Sequence, residues 1–191
     1  MTGYVFHHSK AEKLLHPKRR ELIAPEKVIS LLNVSEHDIV ADLGAGNGYF
    51  AVPIAKRAKT VYAVDVQQQM LDLLQQHAER EGVKNVSYIV SDVAKTTISP
   101  QSVDKGLMAF VLHEVDDREA VFAEIARIMK LNGAFMLIEW EAVESEMGPP
   151  LHERIPSHQL MDETKAHFAH VELVHFHPSV YGIIVKHCHA S

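Results

Sequence analysis

Cysteine is nearly missing from this sequence: Cys188 is the single thiol in 191 residues. One thiol excludes an intramolecular disulfide framework and any zinc module built on several cysteines. Long apolar runs are missing too. The longest, Leu107–Leu112, falls far short of the ~20 residues that cross a bilayer, and no secretory apolar core precedes the first charges. Basic charge is scarce, with 19 Lys and Arg against 25 Asp and Glu and a formal net charge of −6 with histidine neutral. A general nucleic-acid binder needs the opposite balance to neutralise phosphates, so neither a nucleic-acid nor a membrane partner is expected. Repeats and low-complexity linkers are absent as well.

What is present suits one filled core. The chain is 47% apolar and 23% charged, and its length lies within the roughly 100–200 residues of a typical domain. These figures predict a soluble, cytoplasmic protein forming a single domain over residues 1–191. The surplus residue is histidine, with 14 copies.

From about residue 38, short β-branched runs alternate with helical patterns, the signature of a βαβ architecture. Strands are expected at Ile39–Leu43, Val61–Val64, Val86–Val90, Lys105–Val111 and Ala134–Trp140. Several are almost wholly apolar, as parallel strands covered on both faces must be. After Asp65, the spacing of Met70, Leu74 and Ala78 predicts a helix stopped by Gly82. A second helix is predicted over Asp117–Lys130. It opens on a capping-box-like pair, Asp116 and Glu119, buries Val121, Ile125, Ile128 and Met129, and ends at Gly133. Pro53 falls near the start of a helix after the first strand. Residues 1–37 read as a helical cap, with helices at Lys10–Leu15 and Pro25–Leu32 and a break near His16-Pro17. Residues 38–140 form the core. Residues 141–191 supply a helix at Ser157–Phe168 and an antiparallel pair, Val171–Phe176 and Val180–Lys186, making the sheet mixed.

The informative stretch is Asp42-Leu43-Gly44-Ala45-Gly46-Asn47-Gly48-Tyr49-Phe50, between the first strand and the next helix. Glycines let backbone turn sharply and approach a ligand, and a helix N-terminus offers free N–H groups. Asp65, at the tip of the second strand, lies 23 residues beyond Asp42, the spacing at which an acid meets a ribose bound over the first loop. A dinucleotide fingerprint would place its third glycine where Tyr49 stands, and Asp42 would repel a pyrophosphate. That pattern disfavours a nicotinamide-dependent dehydrogenase and favours a cationic ligand.

These motifs resemble those of the class I S-adenosylmethionine-dependent methyltransferases. The resemblance runs through the Asp42–Gly48 loop, Asp65, Ser91-Asp92 and the segment Asp104–His113, covering about residues 38–140. The flanks resemble small bacterial and archaeal members of the type 11 kind, through Phe6–Arg19, Leu112-His113-Glu114 and Gly148-Pro149-Pro150. The resemblance implies a Rossmann-like three-layer α/β/α sandwich, with a mostly parallel seven-stranded sheet and a C-terminal antiparallel hairpin. It implies S-adenosyl-L-methionine as cofactor. Gly44, Ala45, Gly46 and Gly48 would pass under its methionine moiety, with Asp42 reaching the amino group. Asp65 would accept the ribose hydroxyls, and Val66 and Met70 would pack near the adenine. Asp92 would accept from the adenine amine beside the Val93 backbone, while Ala109 and Phe110 would lie close to the transferable methyl.

Methyl transfer from a sulfonium needs positioning, exclusion of water and sometimes removal of a proton. His113 and Glu114, just past the fourth strand, stand where a base belongs; the alternative is a loop histidine beside a solvated or helix-capping glutamate. Glu139 and Trp140 are candidate pocket walls, and Tyr4, Phe6, His7 and His8 could close the pocket. Lys18-Arg19-Arg20 is either a solvated helix face or a contact to a carboxylate of cofactor or substrate. His175 and His177 share a strand face, as do His187 and His189 around Cys188, yet no fixed carboxylate accompanies them and no metal is expected. Short length and acidic balance favour a small-molecule methyl acceptor. A non-catalytic cofactor-binding module would keep the same three acids without an organised acceptor pocket.

Overall fold

A computed structural model describes residues 17–187. Seven strands form one sheet in the order β3-β2-β1-β4-β5-β7-β6. They are β1 (Ile39–Leu43), β2 (Thr60–Asp65), β3 (Val86–Val90), β4 (Val103–Ala109), β5 (Met129–Trp140), β6 (His170–His177) and β7 (Val180–Lys186). The first five pair in parallel, and β7 pairs antiparallel with both β5 and β6. The helices are α1 (Pro17–Leu22), α2 (Pro25–Leu32), α3 (Ala51–Ala55), α4 (Gln68–Arg80), α5 (Arg118–Ile128) and α6 (Ser157–Lys165). This is the expected three-layer α/β/α sandwich.

The period of two along each strand divides the apolar residues between two cores. On β5, Ala134, Met136 and Ile138 face one side, with Val28 and Leu32 of α2, Ile54 of α3 and Leu71 and Leu74 of α4. Phe135 and Leu137 face the other, with Val121, Phe122 and Ile125 of α5 and Leu160 of α6. Strand order reverses between β1 and β4, whose connections run to opposite faces, and a crevice opens there at the carboxyl ends of the strands.

Several boundaries differ from expectation. Asp117, not Asp116, caps α5, its carboxylate accepting from the Ala120 N–H at 3.0 Å. That helix ends at Ile128, and Met129 already pairs with Val103, so β5 runs twelve residues and Gly133 lies within it. Glycine is needed there because a Cβ would sit 2.9 Å from the Lys130 carbonyl oxygen. β4 stops at Ala109, because Phe110 turns to φ +61° and Leu112–Glu114 closes a 3₁₀ turn. Pro17 begins α1 where only a break was expected. The expected helix Lys10–Leu15 lies outside the described residues. Pro25 does open α2, and Gly82 does follow α4 with φ +70°.

Gly106 on β4 is the tightest point in the sheet: a Cβ there would lie 2.0 Å from the ring of Phe135, which is fully buried. Gly106→Ala is expected to lower unfolding free energy by about 1–3 kcal/mol, the usual cost of overpacking. Urea denaturation measures it, and an unchanged midpoint would contradict this packing.

Candidate functional site

A cavity of about 1270 Å³ occupies the crevice. Its walls include Asp42, Gly44, Ala45, Gly46, Asp65, Val66, Met70, Asp92, Val93, Ala109, Phe110, His113 and Glu114, so the fold gathers nearly every candidate residue around one space.

The loop after β1 is tied to β2 by its own backbone. Gly44 and Ala45 both donate to the Val64 carbonyl, at 2.8 and 2.9 Å. Gly44 has φ +78°, and a Cβ on it would lie 2.3 Å from Val111, so this position needs glycine on both counts. Gly46 donates its N–H to Asp65 Oδ2 at 2.9 Å, and Gln67 donates to Asp65 Oδ1 at 2.9 Å. The two bonds fix the carboxylate's plane and leave further lone pairs for a ligand. Burial raises the Asp65 pKa, against the pull of those N–H donors.

Asp42 is 2% exposed, and its Oδ2 has no hydrogen-bond partner among the described residues. Burial, with Asp65 beside it, pushes its carboxyl up to about 7, although Arg19 pulls the other way. A buried acceptor left without a donor marks a place where a ligand donor belongs. Asp92 is exposed, and its Oδ1 accepts from the Ala94 N–H at 2.8 Å in an Asx turn at the cavity wall.

Gly48 is the exception. It does not line the cavity; a Cβ there would come within 2.8 Å of Leu74 and 3.1 Å of Val52. Its glycine is required where the loop packs against α3 and α4, the helix-packing role of a third glycine in nucleotide-binding loops.

The basic triplet divides. Lys18 and Arg20 point outward to Glu146 (3.4 Å) and Glu26 (2.7 Å). Arg19 turns inward over the rings of Tyr49 (4.7 Å) and Phe110 (5.1 Å) and lines the cavity. Burial lowers its pKa to about 10, which leaves it charged at neutral pH. The positive φ of Phe110 throws its ring toward Arg19 and toward Trp140, 4.8 Å away.

His113 brings in a residue that the sequence offered only as a wall. Glu139, fully buried near the end of β5, faces His113 Nδ1 at 2.9 Å through Oε2 and also accepts from the His113 and Trp140 backbone N–H groups. Burial pulls the His113 pKa down, but Glu139, Glu114 and Glu153 outweigh it, and the net shift is upward. The available signal was a lone acid inside the apolar run Ala134–Trp140. Arg154 gave no such signal. It is buried, lies 5.6 Å from the Trp140 ring centre, and donates to the Pro149 and Met147 carbonyls at 2.9 and 3.0 Å, shaping the loop over the cavity.

Among the described residues, no three His, Cys, Asp or Glu side chains converge as a ligand set. His177 bonds Ser179, and His187 bonds the Ala126 carbonyl. Cys188 and His189 lie outside the described residues, as do Tyr4, Phe6, His7 and His8.

Comparison with known proteins places this geometry. The family model for a methyltransferase domain matches residues 41–137. The chain belongs to the class I S-adenosylmethionine-dependent methyltransferases. A solved S-adenosylmethionine-dependent methyltransferase from Aquifex aeolicus superposes with TM-score 0.86 and 28% identity, covering 94% of this chain and 98% of that one. A ubiquinone/menaquinone biosynthesis C-methyltransferase from Acidiphilium cryptum is 24% identical over 128 residues, 66% of this chain and 51% of that protein. A 23S rRNA (uracil(1939)-C(5))-methyltransferase from a Marinomonas species is 36% identical over 64 residues, 34% of this chain and 14% of that one. The chain thus spans about half the length, or less, of these curated relatives. The donor set fits the family's cofactor: a buried carboxylate with one oxygen unpartnered among the described residues, for a cationic group, and a tight glycine loop whose Gly44 admits no side chain.

The raised Asp42 pKa makes a two-sided prediction. The folded chain holds a proton that the unfolded chain has released, so this group's stabilising contribution is lost as pH rises through about 7. Asp42→Asn is expected to raise the melting midpoint of ligand-free protein above pH 7, by about 2–4 °C per kcal/mol relieved, while weakening S-adenosylmethionine binding. Thermal melts and calorimetry across pH 6–8.5 check both; a lower midpoint above pH 7 would refute it.

Proposed function

We propose that this protein transfers a methyl group from S-adenosylmethionine to a nucleophilic atom of a small-molecule acceptor, releasing S-adenosylhomocysteine, with residues 1–191 acting as one catalytic unit. The observation that carries this is a single cavity with two differently built halves. One half holds Asp42, the Gly44–Gly46 loop and Asp65; the other is walled by Phe110, His113, Glu114 and Trp140. A module that only bound the cofactor would have no need of the second half.

When bound, S-adenosylmethionine supplies an electrophilic methyl on a sulfonium. The chain's part is binding, orientation, exclusion of water and handling of a proton. Asp65, held by the Gly46 and Gln67 N–H groups, would accept the ribose hydroxyls. Asp42 would meet the amino group, and Arg19, at the same end, a carboxylate. Val66, Met70, Asp92 and Val93 would form the adenine end. Ala109 and Phe110, where β4 stops, would border the reacting centre. His113 and Glu114 would face the acceptor as the residues that take its proton.

The acids around the cavity and the charge of −6 support a small acceptor over RNA, the substrate named for one relative. No helix among the described residues is long and apolar enough to cross a membrane, and we place the protein in the cytoplasm.

Calorimetry with S-adenosylmethionine is the direct test. Wild type should bind, and Asp65→Ala should bind about 100-fold more weakly, the effect of losing hydrogen bonds to a charged group. Absence of binding to wild type would sink the proposal. Screening metabolite pools for S-adenosylhomocysteine release then separates an enzyme from a binding module.

A further inference from the structure

We propose that the acceptor is a small amine that arrives as an ammonium ion, and that Glu139 is the positioning residue that makes His113 its proton acceptor. This rests on the methyltransferase function proposed above.

The first support is a built pair. The His113 side chain is 8% exposed and that of Glu139 is 0% exposed. With Glu139 Oε2 at 2.9 Å and Oε1 at 3.1 Å, Nδ1 is the ring's donor, and this fixes the tautomer. Nε2 then keeps its lone pair. It makes no hydrogen bond among the described residues, its nearest charged neighbour being Glu114 at 3.8 Å, and the ring lines the cavity. Burying a carboxylate completely is costly unless it is paired. Here the pair is an imidazole that lines the ligand space, with its other nitrogen 3.8 Å from cavity-lining Glu114, the arrangement by which a buried acid orients a general base. An acceptor without a proton to lose gives such a pair nothing to do.

The second support is the charge around that nitrogen. Glu114 and Glu153 line the cavity and both act on His113. Of the cations on the same wall, Arg118 makes two bonds to Glu163, at 2.7 and 2.8 Å, Arg154 is held among loop carbonyls, and Arg19 lies over Tyr49 and Phe110, where the cofactor's carboxylate would meet it. Behind Glu139 stand Arg118 and the Tyr181 hydroxyl, and the hydroxyl donates to the Ile155 carbonyl. A carboxylate or phosphate acceptor would enter against Glu114 and Glu153, whereas an ammonium is drawn in. These two acids favour the cation whether the proton sits on substrate nitrogen or on imidazole, so they do not decide where it goes. Glu139 bonds the imidazole and two backbone N–H groups rather than the substrate, and so tilts transfer toward the imidazole.

The step balances. An N–H bond of the ammonium breaks and its proton moves to His113 Nε2. The freed nitrogen pair forms the new N–CH₃ bond as the methyl's bond to sulfur breaks, leaving that pair on sulfur. The imidazolium then returns its proton to water.

Two measurements on the intact protein test this. NMR titration of the His113 ring, with S-adenosylhomocysteine bound, should show an Nδ1–H tautomer and a midpoint above that of an ordinary imidazole. In Glu139→Gln the midpoint should fall toward the ordinary value. The second follows S-adenosylhomocysteine release with size-matched probes: ethylamine, ethanol and acetate, then benzylamine, benzyl alcohol and benzoate. Amines should be turned over at least about tenfold faster. Glu139→Gln should lower kcat about 100-fold at neutral pH and move the rising limb of the pH profile to lower pH. Should Glu139→Gln not fold, the cavity-wall change Glu114→Gln carries the charge argument and should weaken the preference for amines. An unmoved His113 midpoint, faster turnover of alcohols or acids, or no turnover of amines by protein that binds S-adenosylmethionine would each overturn the proposal. Failure of the methyltransferase function itself shows separately, as no binding of S-adenosylmethionine to wild type.

Discussion

The site depends on negative charge held out of water at the strand tips. A carboxylate that loses its hydration must be given donors or a cation, or it takes up a proton. The protein deals with its two central acids differently. Asp65 receives backbone N–H groups from Gly46 and Gln67 and is locked in place. Asp42 is buried beside the same loop, its Oδ2 left without a donor among the described residues. The glycine loop therefore does two jobs: its Gly46 amide helps hold one acid, and its bulk dries out the other. That difference readies the crevice for a ligand carrying positive charge and hydroxyls.

A third buried acid extends this logic to the far half of the cavity. Glu139 lies in the otherwise apolar run Ala134–Trp140 of β5 and meets, in His113, an imidazole close enough to share its charge. The pairing needs β4 to stop at Ala109 and the chain to fold back through a 3₁₀ turn, which sets His113 opposite β5. The same reversal gives Phe110 its left-handed backbone, a strained conformation for a residue with a Cβ, and such strain is typically kept at working sites. Around this point the walls come from distant parts of the chain. Arg19 arrives from α1 and Arg154 from the segment after β5, each beside an aromatic ring.

Much of the architecture was legible because it rests on local rules. Short apolar or β-branched segments mark the strands, Pro25 opens its helix, and Gly82 follows the end of another. The errors came where two local signals competed. Asp116 and Asp117 both offer an N-cap, and only the chain's path selects the second. Gly133 looked like a helix stop, yet Met129 had already joined the sheet, because pairing with Val103 outweighs one more helical turn. Gly48 shares a motif with Gly44 and Gly46, and its missing side chain makes room for Leu74 and Val52.

By itself, the sequence determined the alternation of strands and helices, the glycine loop, and the acids Asp42, Asp65 and Asp92 at strand ends, since periodicity and turn chemistry act over a few residues. Tertiary structure alone decided which acid has both oxygens bonded and which keeps one oxygen without a donor among the described residues. It decided that Arg19 turns inward while its neighbours face solvent, and that Glu139 belongs to His113 across 26 residues of chain. Burial and electrostatic partnership depend on what the rest of the fold brings near, and no local pattern carries that information.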